Sequence, residues 1–159
     1  MGVTLLLRPI DAHDKDLLQR FHGRLSSETR YRRFHGAKGA LSSRELVYFT
    51  EIDQADHVAV VAVRADGEFA AVARIVANGD ETAEVAVVVA DDARGQGLGA
   101  EVVEACVRVY NRERPGQPIF AHVQTDNGGA MRLFVDRLAG EVVRYQDGVA
   151  VVRLPDSSS

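Results

Sequence analysis

The chain has 159 residues, a formal net charge of −4 and a 46% hydrophobic share. That length suits one domain, expected over residues 1–155, with a core large enough to need no disulfide, and the single cysteine, Cys106, excludes an intramolecular one. The acidic balance argues against a nucleic-acid partner. No apolar stretch is long enough to span a bilayer, no secretory leader is evident, and the lone thiol fits a reducing, cytoplasmic setting.

Val3–Arg8 is an apolar, partly β-branched run closed by Pro9 and reads as a first strand. From Asp11 to about Leu25, Leu17, Leu18, Phe21 and Leu25 recur at helical spacing, and Asp11 and Asp14 suit a helix start. Residues 26–40 show no clear period and read as loop with room for a short helical turn. The stretch Arg24 to Lys38 carries five basic residues against one acid, Glu28. It reads either as a solvated loop or as a surface for an acidic partner or a phosphate.

Ser42 with Glu45 three residues on forms a capping-box pattern that opens a helix ending near Thr50. His57–Arg64 and Phe69–Ala77 read as strands about the turn Ala65-Asp66-Gly67-Glu68, and Thr82–Val89 continues the meander. Gln96 to about Asn111 reads as a helix with Val102, Val103, Cys106, Val109 and Tyr110 on one face. Pro118–Gln124 is a strand, Asn127–Leu138 a helix, and Glu141–Arg144 and Val149–Leu154 pair about Gln146-Asp147-Gly148. Residues 156–159 read as a frayed tail. The order predicts an α+β fold: a mixed central β-sheet flanked by about four helices, with a parallel crossover from Thr82 to Gln124.

Chemistry concentrates where the strand ending at Val89 meets the helix near Gln96. The first amide N–H groups of a helix lack internal partners and carry partial positive charge. Glycine lets a ligand approach that backbone closely. Arg94-Gly95-Gln96-Gly97-Leu98-Gly99, followed by Ala100, therefore forms a cradle suited to a pyrophosphate, to which Arg94 can add charge-assisted hydrogen bonds. No Gly-Lys-Ser/Thr follows, so this is not a Walker A loop. The glycines at 95, 97 and 99 do not match G-x-G-x-x-G, and the loop does not open a βαβ unit, which argues against a dinucleotide fold.

Arg94, Gly97 and Gly99, together with Asn127, Ala130, Leu133 and Phe134, resemble the two signature motifs of the GNAT superfamily of N-acetyltransferases. The resemblance implies acetyl-CoA as cosubstrate, no metal, loop amides on the coenzyme A pyrophosphate, and the strand Val87, Val88, Val89 hydrogen-bonded to the pantetheine arm. Leu7-Arg8-Pro9-Ile10, the run from Leu25 to Phe34, and Asp53 with Val58–Ala62 resemble more closely the bacterial protein-lysine acetyltransferases. Some members of that group join this domain to a cyclic-nucleotide-binding or ligase-like domain, for which 159 residues leave no room. The implied acceptor is a primary amine, in that group a protein lysine. A small-molecule amine and a non-catalytic acyl-CoA-binding module are the competing expectations.

An ammonium acceptor must lose a proton before it attacks a thioester. Glu84, a lone carboxylate in Ala83-Glu84-Val85-Ala86-Val87, either marks the solvent face of an alternating strand or is the base. The resemblance implies the base, and partial burial would raise its pKa. Asn127 reads as a helix N-cap or as a contact to the pantetheine or its strand. Phe134 stands where the family often has a tyrosine that protonates the departing thiolate, and phenylalanine has no such proton. Tyr110 reads as core and Tyr145 as exposed. Cys106 reads as a buried small hydrophobe. The five histidines show no metal-ligand spacing, and among them only His122 faces the presumed thioester strand.

Overall fold

A computed structural model describes residues 5–25 and 40–156. β1 (Leu5–Pro9) runs antiparallel to β2 (His57–Arg64), which pairs with β3 (Phe69–Ala77), which pairs with β4 (Ala83–Val89). The alternating and near-continuous Val/Ala runs of β2 and β3 are buried on both faces, which is why they form the sheet centre. β4 runs parallel to β5 (Ile119–Gln124), and the C-terminal hairpin of β6 (Glu141–Gln146) and β7 (Val149–Arg153) adds with β7 innermost. The order is β1-β2-β3-β4-β5-β7-β6, a seven-stranded mixed sheet. Pro9 is the last residue of β1, on the sheet edge where a missing N–H is tolerated.

Four α-helices accompany the sheet among the described residues, and the fold is α+β as expected: α1 (Lys15–Gly23), α2 (Ser43–Thr50), α3 (Leu98–Glu113) and α4 (Gly128–Met131). The first expected helix is split. Asp11 caps a 3-10 turn, Ala12–Asp14, and α1 starts only after it. Asp14 causes the break: its carboxylate accepts the Asp11 N–H at 2.9 Å and takes a bidentate pair with Arg8 at 2.8 Å from each oxygen. The capping box at Ser42 and Glu45 is present in full. The hairpin turn is tighter than the sequence suggests. Only Asp147 and Gly148 separate β6 from β7, both at positive φ, as a two-residue turn between right-twisted strands requires.

The expected helix Asn127–Leu138 changes hand-hold half way. After the single α-turn of α4, Arg132–Arg137 is a π-helix, with Leu138 N–H donating to the Leu133 carbonyl five residues back. One apolar core runs from Ile10 to Leu154 and includes both arms of the sheet. Tyr110 and Cys106 lie fully inside it, and burial pushes the Cys106 thiol up to about 12. Tyr145 is exposed. The basic stretch Arg24 to Lys38 falls, apart from Arg24, outside the described residues. Arg24 itself binds Glu68 at 2.7 Å and the Phe69 carbonyl, tying α1 to the β2–β3 turn. Of the expected tail 156–159, Asp156 is described and lies 3.4 Å from Arg153.

Candidate active site

β4 and β5 are parallel neighbours for only three residue pairs, ending at Val85 with Ala121. Beyond that point β4 stays with β3 as far as Val89, and β5 stays with β7 as far as Gln124. The two halves of the sheet therefore part like a fork, and the edge of Ala86–Val89 that would face β5 has no ladder partner among the described residues. A backbone edge left this way offers N–H and C=O groups to an extended ligand.

The fork opens toward the start of α3. After Val89 the chain makes a 3-10 turn at Asp91–Ala93, and Gly97 takes the N-cap of α3 at φ 78 with no side chain capping the helix. Gly95 is also left-handed, at φ 79. The helix begins at Leu98, not at Gln96 as expected, because a left-handed residue cannot belong to a right-handed helix. The glycines do different jobs. A Cβ at Gly95 would meet nothing within 4 Å, so that position is open to a ligand. A Cβ at Gly99 would sit 3.1 Å from Leu133 and 3.5 Å from Val89, so Gly99 lets α3 close onto the tip of β4. Leu98 and Ala100 turn their side chains into the core, so only their backbone N–H groups face outward use.

Arg94 is exposed and lies 3.2 Å from Asp91. Asp92 is held by Arg64, which keeps its carboxyl below the usual range and fixes the acidic turn to β2. A residue that sequence reasoning passed over also reaches this loop. The Arg137 guanidinium lies 2.8 Å from where a Gly97 Cβ would be. Its only signal in the sequence is a basic residue shortly after the Leu133-Phe134 pair, and the π-helix decides where it ends up.

At the closed end of the fork, Glu84 and His122 project from the same sheet face. Glu84 is opposite Phe120, so His122 is its diagonal neighbour on β5. Glu84 Oε1 and His122 Nδ1 are 2.7 Å apart. The Glu84 side chain is 48% exposed and that of His122 43%, so both are about half-buried. At the closed end of the fork, where β4 is still paired, the side chain has solvent on one side. On the same face of β4, Ala86 and Val88 line an apolar depression, together with Leu18, Phe21 and Leu41 and with the buried Arg74.

A family model described as the acetyltransferase (GNAT) family matches residues 21–140. The chain belongs to that family. It is 36% identical over 156 residues to acetyltransferase Pat of Mycolicibacterium smegmatis, covering 96% of this chain and 46% of Pat. The chain thus spans less than half the length of that curated relative. The crystal structure of the GNAT domain of S. lividans PAT superposes with a TM-score of 0.87 at 30% identity, covering 96% of this chain and 91% of that one. A Salmonella typhimurium putative acetyltransferase, solved with its cofactor acetyl-CoA, shares the fold with a TM-score of 0.71 at 15% identity, covering 98% and 96%.

In this GNAT chain the second motif is placed as follows. Asn127 caps α4, its Oδ1 accepting the Ala130 N–H at 3.1 Å. Leu133 packs on Gly99, so the two motifs touch. Phe134 is only 4% exposed and belongs to the core. No helix among the described residues is long and apolar enough to cross a membrane.

Proposed function

We propose that the chain transfers acetyl from acetyl-CoA to a primary amine, with protein lysines as the favoured acceptor. The observation that carries this reading is the fork between β4 and β5, which opens onto an uncapped, glycine-lined helix start and has a carboxylate at its closed end. The N–H groups of residues 97–100, with Arg94 and Arg137, suit the pyrophosphate, and the free edge of Val87–Val89 suits the amide-bearing pantetheine. The chemistry supplied by acetyl-CoA is an activated acyl group on a thiol leaving group.

Glu84 is the base in this reading. Its exposed carboxylate takes a proton from the acceptor ammonium, directly or through water, which frees the nitrogen lone pair for the thioester carbonyl. The apolar side chains on the same face of β4, Ala86 and Val88 among them, offer a surface for the methylene stem of a lysine whose charged end lies near Glu84. The stretches Leu7–Ile10 and Val58–Ala62, which resemble the bacterial protein-lysine acetyltransferases, favour a protein acceptor over a small amine.

Titration calorimetry with acetyl-CoA, with ATP and NAD as controls, tests the cosubstrate. Binding to acetyl-CoA alone, lost in Gly97→Glu, is the expected result, since that side chain brings a negative charge and a strained backbone to the cradle. Transfer to Nα-acetyl-lysinamide, compared with transfer to spermidine, tests the acceptor. Glu84→Gln is expected to keep acetyl-CoA affinity and lower transfer by about 100-fold. A variant that transfers as well as the unchanged protein removes Glu84 from the chemistry.

A further inference from the structure

A thioester aminolysis moves two protons, and Glu84 accounts for one. The acceptor arrives as an ammonium and leaves as a neutral amide. One of its protons must go to a base before attack. A second, from the nitrogen bonded to the tetrahedral carbon, must go before collapse, while the departing thiolate must gain one. Phe134, the aromatic residue of the second motif, has no proton to give and is 4% exposed within the core.

His122 is the ionisable side chain next to Glu84 at this end of the sheet. It is the first residue of β5 beyond the last ladder pair with β4, at the crotch of the fork, and its side chain shares the face of Glu84. Its Nδ1 is 2.7 Å from Glu84 Oε1. With its hydrogen on Nδ1, the ring is set to donate to that carboxylate, which only accepts. Nε2 is then a bare lone pair. The ring is 43% exposed, so substrate can reach it.

We propose that His122 is the catalytic proton shuttle of this site: Nε2 takes a proton from the attacking nitrogen and returns it to the departing sulfur, while Glu84 holds the ring. The inference rests on the acetyl-CoA reading above. The balance is complete. Glu84 takes one proton from the ammonium and releases it to water. The amine lone pair forms the C–N bond as the carbonyl π electrons move to oxygen. Nε2 then takes one N–H proton, and the ionised Glu84 stabilises the resulting imidazolium. As the carbonyl reforms, the C–S bond breaks and sulfur leaves with the electron pair. Nε2–H protonates that sulfur, and the ring is back in its starting form. The sum is ammonium plus thioester giving amide, thiol and one free proton. A single ring atom serves both transfers because nitrogen and sulfur share one carbon, as the histidine of a serine hydrolase serves attack and departure in turn.

The test uses the full chain, acetyl-CoA and Nα-acetyl-lysinamide. His122→Asn keeps an N–H donor near the Nδ1 position, so a histidine that merely orients Glu84 would be replaced without loss. The proposal expects kcat to fall by about 100-fold with acetyl-CoA affinity unchanged. In His122→Ala, added imidazole is expected to restore part of the rate, with no such effect on the unchanged protein. Normal kcat in His122→Asn, with loss in Glu84→Gln, overturns the shuttle and leaves the acetyl-CoA reading standing. A low rate in His122→Ala that imidazole does not raise also counts against the shuttle. If the unchanged protein neither binds acetyl-CoA nor transfers acetyl, the underlying reading fails and the shuttle with it. Binding without transfer leaves the shuttle no reaction to serve and overturns it too.

Discussion

Asp14 shows how one side chain can set the geometry of a whole entry into the fold. It is 3% exposed, yet it caps the Asp11 turn and grips Arg8 on β1 with both oxygens. Burial pushes its carboxyl upward, but the Arg8 pair and the Asp11 N–H outweigh that, and the net shift is below the usual carboxylate value. A depressed folded value means that the stabilisation is present above the unfolded carboxylate range and is lost as pH falls through the folded value. Asp14→Asn is therefore expected to cost about 2 kcal/mol near neutrality, measured by urea unfolding. The gap to the unchanged protein should close on acidification below about pH 4. A gap that stays constant with pH would mean the carboxylate charge is not what stabilises. Cys106 presents the opposite case. Its thiol is buried against the Val58 and Ala73 carbonyls and pushed up to about 12, which leaves it inert.

At the scale of elements, the connection from the π-helix into β6 leaves the least room for a Cβ of any described glycine position. A Cβ at Gly140 would lie 2.5 Å from Val152 Cγ1 and 2.6 Å from the Phe134 carbonyl oxygen. That carbonyl accepts the Gly140 N–H at 2.8 Å, so it cannot retreat without losing the bond that ends the helix. Gly140→Ala is expected to destabilise by about 2 kcal/mol and to lower Tm by about 5 °C, read by calorimetry. An unchanged Tm would show that the β6–β7 hairpin can shift as a unit. The same stretch carries Leu133 against Gly99 and Arg137 against Gly97. A displaced π-helix should thus also weaken acetyl-CoA binding, although Gly140 lies outside the cradle.

For the molecule as a whole, one core joins both arms of the sheet even though the arms part at the fork. A ligand that fills the fork should then stabilise the entire fold. Acetyl-CoA at about one hundred times its Kd is expected to add about 2.7 kcal/mol and to raise Tm by several degrees, whereas Gly97→Glu should show no shift. A shift of equal size in that variant would place the ligand elsewhere. Much of this architecture was legible in the sequence. The Val-rich runs, the turn glycines and the Ser42–Glu45 box placed nearly every strand and helix, because local periodicity and capping act over a few residues. The glycine loop after β4 and the carboxylate of Glu84 were equally visible. What the sequence alone could not give was everything set by pairing across the chain. The split of the first helix depends on Arg8 reaching Asp14 from β1. The π-turn depends on how residues 132–137 pack on α3. The fork, and the meeting of Glu84 with His122 at its closed end, depend on β4 and β5 pairing for only three residue pairs, whose members lie 36 positions apart in the chain. Local chemistry determined which residues could serve, and tertiary register decided which of them meet.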